Sequence, residues 1–434
     1  MSAVIGALRG PQLDAEILVD GPAFWSRLKS DIVSARERVW VQTLSFEGDV
    51  AGRALADAVS ASHAADRRIL VDSFTRVIVN DRLIHAPWNL LDRTLMREVR
   101  AGRSMIASAR RAGVAIQFGS PLGFLLRRLP ARDHKKIIVV DRDVAYIGGI
   151  NFSDHNFQWH DLMLRIAHPG VAQFLARDFR AAWEGAPAAQ RARFGPLEVL
   201  SLDGNCNAAV LDSLLARIRA ARRCVHVFSP YLTEPFLDAL ANAHQRGAHI
   251  TIVTPAANNR DFLRRHVIDR GLRAGFDVRL YNGMSHLKAM LIDNTQLIVG
   301  SSNFDWLSYT SRRELLAIIR DRHVIHEFHR RVLGPDLLRS APAKAVSRLS
   351  GRLADLQVAF LRSLARCDSC GRDNSERQSA LIAAMETPMR NEFKTTDTRR
   401  KLNGSVSRAS ASERHWRPVA IANHSSNGAT LQGG

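Results

Sequence analysis

The chain has 434 residues, 46% of them hydrophobic, with a formal net charge of +19 and an isoelectric point near 10.9. That length supports a large core and two or three domains. The charge argues against cationic partners and for nucleic acid or an anionic membrane surface.

The N-terminus, MSAVIGALRGPQLDAE, lacks the basic start and apolar run of a signal peptide. No window offers 18 uncharged apolar residues, so no transmembrane helix is expected and the protein reads as soluble or peripherally attached. Trp25, Leu28, Ile32 and Val33 recur at helical spacing, and Val39, Val41 and Leu44 then mark a strand. Residues 49–74 read as a helix followed by the strand Ile69–Val71. Strands are expected at 114–119, 136–141, 144–151 and 162–167, with a tight turn at Arg142-Asp143 and a closing helix over 173–185.

The second half repeats this order. Residues 210–232 and 235–255 each read as helix then strand. Strands follow at 276–283, 287–293, 296–303 and 315–320, and a helix at 323–334 closes the unit. Units this long are domains rather than solenoid repeats. The expected division is 1–195, 196–338 and a basic tail, 339–434. Val41 aligns with Val227 and His134 with His286, so the first half carries extra chain, placed at residues 75–112. It is either a lid or partner surface or a helical surface elaboration.

In the tail, residues 344–367 fit one amphipathic basic helix. From Asp368 on, Ser, Asn, Thr, Gly and Arg dominate, and the segment reads as disordered. Residues 341–434 hold 15 Lys and Arg against 8 Asp and Glu, so the body before them is itself basic. Cys206, Cys224, Cys367 and Cys370 are too few and scattered for a disulfide framework, which points to a reducing compartment. Cys367-Asp-Ser-Cys370 reads as two plain thiols, because no second Cys/His pair stands at metal-ligand spacing.

Two blocks carry chemistry. Residues 132–151, RDHKKIIVVDRDVAYIGGIN, and residues 284–303, MSHLKAMLIDNTQLIVGSSN, share one frame. His134, Lys136, Asp141, Gly148 and Asn151 map onto His286, Lys288, Asp293, Gly300 and Asn303. Side chains two apart on a strand face the same way, so each histidine points with its lysine. Glycine at the end of the frame lets backbone approach a ligand closely. Each half thus offers an imidazole, an ammonium and a carboxamide, and two such sets suit an anionic phosphate.

The frame is met at every position in both halves and resembles the HxKx4Dx6G(G/S)xN signature of the phospholipase D superfamily. The flanks are similar to bacterial cardiolipin synthases and their phospholipase D-like relatives, over roughly residues 18–335. The resemblance implies an α/β fold: two tandem, pseudo-twofold-related αβ sandwich domains with mixed sheets, plus the basic, largely disordered tail. It implies covalent catalysis in which one histidine attacks phosphorus and the other moves protons, roles suited to imidazole. His134 is assigned as nucleophile and His286 as general acid/base, an assignment the symmetry leaves reversible. Lys136, Lys288, Asn151, Asn303, Gly149 and Ser301 are assigned to the phosphate. Asp161 and Glu314, shortly after each block, are assigned to orient histidine, against a reading as ordinary strand-edge carboxylates. Asp141 and Asp293 complete the catalytic frame and are read as structural, holding the hairpin. No cofactor and no metal are implied, the lysines doing the work of a divalent cation. No carboxylate cluster or His/Cys set stands at metal spacing near the blocks. His155 and His160 are candidates for the pocket wall. His168, His323, His326 and His329 lack the frame.

The resemblance leaves the substrate open between phospholipid and nucleic acid. Single-motif endonucleases of the superfamily dimerise, whereas both motifs are built in here, so a monomer suffices; the oligomeric state stays open. Tyrosyl-DNA phosphodiesterase relatives lack the motif aspartate, which Asp141 and Asp293 supply. An apolar loop, residues 121–126, meets Arg127, Arg128, Arg132 and Lys135 and reads either as a membrane-docking tip with a basic collar or as packing inside the domain. The expected function is a phosphatidyltransferase of the cardiolipin synthase type acting on phosphatidylglycerol-like lipid in an anionic membrane. The alternatives are a hydrolytic phospholipase D releasing phosphatidic acid and a phosphodiesterase acting on nucleic acid. The expected location is peripheral, on the cytoplasmic side of a bacterial inner membrane.

Overall fold

The computed structural model describes residues 13–126, 128–205 and 207–367, without the side chains of Leu125 and residues 364–367. Arg127, Cys206, Cys370 and the tail expected to be disordered from Asp368 lie outside the described residues.

Two mixed sheets form the body. The first has seven strands in the order Ala15–Val19, Leu162–Ala167, Val144–Gly148, Ile137–Val140, Arg38–Thr43, Asp66–Asp72, Ala115–Gly119. Its last three strands run parallel to one another and the rest pair antiparallel. The second sheet repeats that core with Leu197–Ser201, Leu315–Ile319, Gln296–Gly300, Ala289–Ile292, Cys224–Phe228, His249–Pro255 and Asp277–Tyr281. It adds Gln190–Phe194 and Ser340–Pro342 at its edges.

Strand alternation sorts the side chains into layers. Ile137 and Val139 enter a central core shared with Ala289 and Leu291 of the other half. Ile138 and Val140 face an outer core with Phe24, Leu28 and Leu55, which come from the helices Asp20–Ser34 and Val50–Ala61. Met290 and Ile292 do the same beneath Leu211 and Leu240. The sheets therefore pack face to face through apolar residues of both motifs, and the ends of the motif strands meet at one place.

Sequence patterning missed the strands Ala15–Val19 and Leu197–Ser201, each the antiparallel partner of the strand after a motif. The extra chain of the first half also sits in two places rather than one. Residues 73–114 join strands that residues 256–276 join in the second half, and residues 120–136 do the work of residues 282–288. The first segment contains the hairpin Ile78–Val79/Arg82–Leu83 and the helix Arg93–Arg111, which packs on Val50–Ala61. A helix Arg348–Cys367 continues beyond the second sheet and lies against Asp261–Arg273. Among the described residues, no helix is long and apolar enough to cross a membrane.

Candidate active site

The histidines lie just before their strands, and each is fixed by backbone of the other half. His134 N–H donates to Arg313 O at 2.9 Å, and Arg313 N–H donates back to Arg132 O at 3.0 Å. His286 N–H donates to His160 O at 2.7 Å, and His160 N–H to Met284 O at 3.1 Å. These reciprocal bridges hold both imidazoles at one pocket between the sheets. Its cavity of about 170 Å³ is lined by His134, His286, Asn151 and Asn303.

The orienting contacts cross the interface. His286 Nδ1 lies 2.9 Å from Asp161 Oδ2, and His134 Nδ1 lies 3.2 Å from Glu314 Oε2 and 3.0 Å from Ser301 O. Both carboxylates are buried. His134 Nδ1 faces only acceptors, so it carries the hydrogen and leaves Nε2 with a free lone pair.

Lys136 and Lys288 are fully enclosed. Lys136 Nζ donates to His134 O at 2.8 Å. Lys288 Nζ sits 2.6 Å from His286 Nδ1 and 3.4 Å from Asp161 Oδ2. Burial and then Lys288 push the Lys136 ammonium down to about 7. Burial pushes Lys288 down to about 8 against the pull of Asp161. Burial and Lys288 push His286 down to about 4, and burial with Lys136 takes His134 well below its usual range. Burial alone would raise the Asp161 carboxyl, but Lys288 and His286 hold it below its ordinary value. So many buried cationic groups crowded beside one pocket are the electrostatic imprint of an anion.

Asn303 reinforces that imprint. Its side chain is fully buried at the pocket wall, and neither Nδ2 nor Oδ1 has a hydrogen-bond partner among the described residues. A buried carboxamide left unpaired costs about 1–3 kcal/mol unless a ligand satisfies it. Asn151 is less idle, donating to Asn156 Oδ1 at 3.2 Å.

Other expected site residues stand elsewhere. Gly149 and Ser301 lie behind the imidazoles rather than in the pocket. A Cβ at position 149 would collide with the Asp161 carboxylate, and Ser301 Oγ donates to Glu314 Oε2. Asp141 and Asp293 each accept from three successive backbone N–H groups, of residues 36–38 and 222–224. They pin the start of the neighbouring strand, not the hairpin, from the left-handed conformation (φ 50° and 52°). His155 lines the pocket. His160 does not: it bridges Asp20 at 2.8 Å and Asp336 at 2.9 Å, and although burial works against its charge these carboxylates hold it up to about 10.

Of the basic collar, Arg128 is exposed, but two members are not at the surface. Lys135 is buried on Asp178 (2.9 Å) and Ser201 (2.7 Å), and Arg132 is buried on Asp72 (3.1 Å). Phe124 is exposed, whereas Leu122 and Leu126 pack beside Val77, Ile78 and Leu83. Sequence reasoning missed Arg312 and Trp159. Each stands two residues before an orienting carboxylate, and both line the pocket. The fold also assembles a carboxylate cluster that spacing did not show: oxygens of Glu47, Asp49 and Glu98 lie within 4.8 Å of one another.

A family model described as cardiolipin synthase, PLD-like domain, matches residues 28–183 and 214–333. The chain belongs to this phospholipase D-like family. The phospholipase D-like chain is 29% identical over 225 residues to cardiolipin synthase A of Yersinia pseudotuberculosis and of Yersinia pestis. That match covers 45% of this chain and 46% of the relative, so the chain spans about half the length of the curated relatives it matches. Among solved structures, phosphatidylserine synthase from Haemophilus influenzae superposes with a TM-score of 0.60 at 15% identity, covering 82% of this chain and 94% of that one. Polyphosphate kinase from Porphyromonas gingivalis superposes with a TM-score of 0.50 at 15% identity, over 81% and 56%. These two likenesses are of fold.

Proposed function

We propose that this phospholipase D-like chain is a phosphatidyltransferase of the cardiolipin synthase type that works through a phosphohistidine without a metal. The observation that carries the reading is the pair of carboxylate-anchored imidazoles and an unsatisfied Asn303 at one pocket, with the enclosed Lys136 and Lys288 beside the imidazoles. The wall formed by Phe74, Leu129, Pro130, Phe262, Leu263 and Leu307 supports a lipid substrate over a nucleic acid.

In the first step His134 Nε2 attacks phosphorus, the P–N bond forms, and the P–O bond to the first alcohol breaks. His286 gives that alcohol its proton. In the second step His286 takes the proton of the acceptor alcohol, whose oxygen attacks phosphorus as the P–N bond breaks. An arriving phosphate reverses the crowding that depresses Lys136, Lys288 and His286, so substrate itself charges the groups that stabilise it. The lysines supply the neutralisation that a divalent cation supplies in other phosphoryl-transfer sites.

The test is incubation with phosphatidylglycerol vesicles and, separately, plasmid DNA, with and without EDTA. Cardiolipin formed in both EDTA conditions, and lost in His134→Ala and in His286→Ala, is the expected result. Phosphatidic acid alone would make the protein a hydrolase. A nicked plasmid beside untouched lipid would overturn the reading, and activity surviving only with added metal would overturn the metal-free mechanism.

A further inference from the structure

The helix Arg348–Cys367 has two apolar faces, and only one is used. Gly351, Ala354 and Val358 face the body and are buried. Gly351 is needed there, because a Cβ would run into the Asp269 carboxylate. Polar contacts fix the same side: Asp355 to His266 Nδ1 at 2.7 Å, Arg265 to Ser350 Oγ at 2.9 Å, and Arg362 to Glu234 at 3.3 Å. The Arg362 guanidinium also lies 4.6 Å over the Trp306 ring. The helix is therefore a docked part of the body, and Leu361 reaches the active-site pocket.

The opposite face carries Leu349, Leu353, Leu356 and Phe360, exposed by 80, 53, 67 and 42%. Their spacing of four, three and four residues places all four on one stripe of a helix. Exposed Lys344, Arg348 and Arg352 lie at its start, while the helix's acid, Asp355, is turned inward to His266. An apolar stripe beside exposed cations is the pattern of a helix lying in the interface of an anionic bilayer.

We infer that Arg348–Cys367 is a bilayer-docking helix whose outer stripe enters an anionic phospholipid surface and sets the mouth of the catalytic pocket against that surface. The choice of a bilayer as occupant rests on the charge at the helix and on continuity with the pocket through Leu361, and it builds on the phospholipid reading of the site. This docking does not call on the collar at residues 121–136, whose Arg132 and Lys135 are buried and whose Arg128 is exposed.

The test uses the full chain and the double variant Leu353→Glu/Leu356→Glu. Sedimentation with phosphatidylglycerol and with phosphatidylcholine vesicles reads docking. Size-exclusion elution reads self-association. Turnover of a short-chain phosphatidylglycerol below its micelle concentration reads the site alone. The wild type is expected to favour phosphatidylglycerol vesicles, and the variant to lose about tenfold in binding with unchanged elution and unchanged short-chain turnover. Arg348→Glu/Arg352→Glu is expected to weaken only the binding to anionic vesicles. Equal vesicle binding by wild type and Leu353→Glu/Leu356→Glu overturns the inference, as does a wild-type dimer that this variant converts to monomer. Failure of both proteins to turn over lipid, with the binding difference intact, would sink the transferase reading and leave the docking helix standing.

Discussion

Asp161 belongs to the first half, yet its Oδ2 lies 2.9 Å from Nδ1 of His286 in the second. Glu314 answers in the opposite sense, 3.2 Å from His134 Nδ1. Each half thus holds the other's imidazole, and neither half alone contains an oriented histidine. The crossing separates two roles by mutation. Glu314→Gln disturbs His134, the proposed nucleophile, while Asp161→Asn disturbs His286, the proposed proton carrier. Both are expected to lower kcat by roughly 10²- to 10⁴-fold with little change in KM, as loss of an orienting carboxylate does elsewhere. With a labelled phosphatidyl ester of p-nitrophenol, whose leaving group needs no proton, Asp161→Asn should retain label on the denatured protein and Glu314→Gln should not. Equal labelling of both would end the division of roles.

The depressed lysines make anion binding a proton-uptake event. In the empty site Lys136 and Lys288 titrate at about 7 and about 8. A bound phosphate or vanadate raises both, because it favours their charged forms. At pH 8 the complex therefore takes protons from the buffer. Calorimetric titration of the protein with vanadate in two buffers of different ionisation enthalpy measures the uptake. The expected heats differ between buffers at pH 8, and the difference shrinks at pH 6, where both lysines are already charged and only the imidazoles remain to gain a proton. Identical heats at pH 8 would mean that the lysines stay charged in the empty site.

The same strain makes Lys136 a cost to the empty fold. Its folded value lies below the ordinary lysine value of 10.5, so its destabilising contribution is full below about pH 7 and is relieved as pH rises towards 10.5. Lys136→Met is expected to raise the melting temperature at pH 7 by several degrees while abolishing turnover, an exchange of function for stability. Scanning calorimetry at pH 7 and pH 10 checks both signs: the gain over wild type shrinks at the higher pH.

The repeated frame of histidine, lysine, aspartate, glycine and asparagine was legible because it sits in two blocks of twenty residues and appears twice. The alternation of Ile137, Ile138, Val139 and Val140 was legible for the same local reason. Partners were not. Asp161 and His286 stand 125 residues apart and Glu314 and His134 180 apart, and nothing in either block encodes which carboxylate reaches which ring. Arg132 and Lys135 looked like surface cations because charge is visible in a sequence and burial is not. Their carboxylates, Asp72 and Asp178, come from 60 and 43 residues away. The sequence shows Gly149 only as a small residue; the Asp161 carboxylate that fills the space a side chain would need appears only in three dimensions.

Lys135 turns that misreading into an experiment. A surface cation could be removed at little cost, but here Lys135→Ala would leave Asp178 charged and Ser201 under-paired in the central core. The expected loss is about 3–5 kcal/mol in chemical denaturation. Lys135→Met combined with Asp178→Leu removes both charges and should recover most of it. A loss below about 1 kcal/mol for the single variant would mean that the pair is hydrated.

The carboxylate cluster gives the opposite pH sign. Glu47 accepts from Asn80 N–H at 3.1 Å and so ties the first inserted hairpin to the body, and Glu98 brings the helix Arg93–Arg111 to the same place. Burial and then Asp49 push Glu47 well above the usual carboxyl range, and burial takes Asp49 up to about 6 and raises Glu98. The folded chain holds these protons more tightly than the unfolded chain. The cluster's contribution is therefore fully present below pH 4 and is lost as pH climbs through about 6. Glu98→Gln removes one charge and keeps a hydrogen-bonding group beside Glu47. It is expected to leave the melting temperature unchanged at pH 4 and raise it at pH 7.5. Amide exchange in residues 93–111 should slow in the variant at pH 7.5, since this helix is what the repulsion pushes away. A melting temperature lower than wild type at pH 7.5 would show instead that the three carboxylates are held together by a cation, and adding EDTA to the wild type would then reproduce the drop.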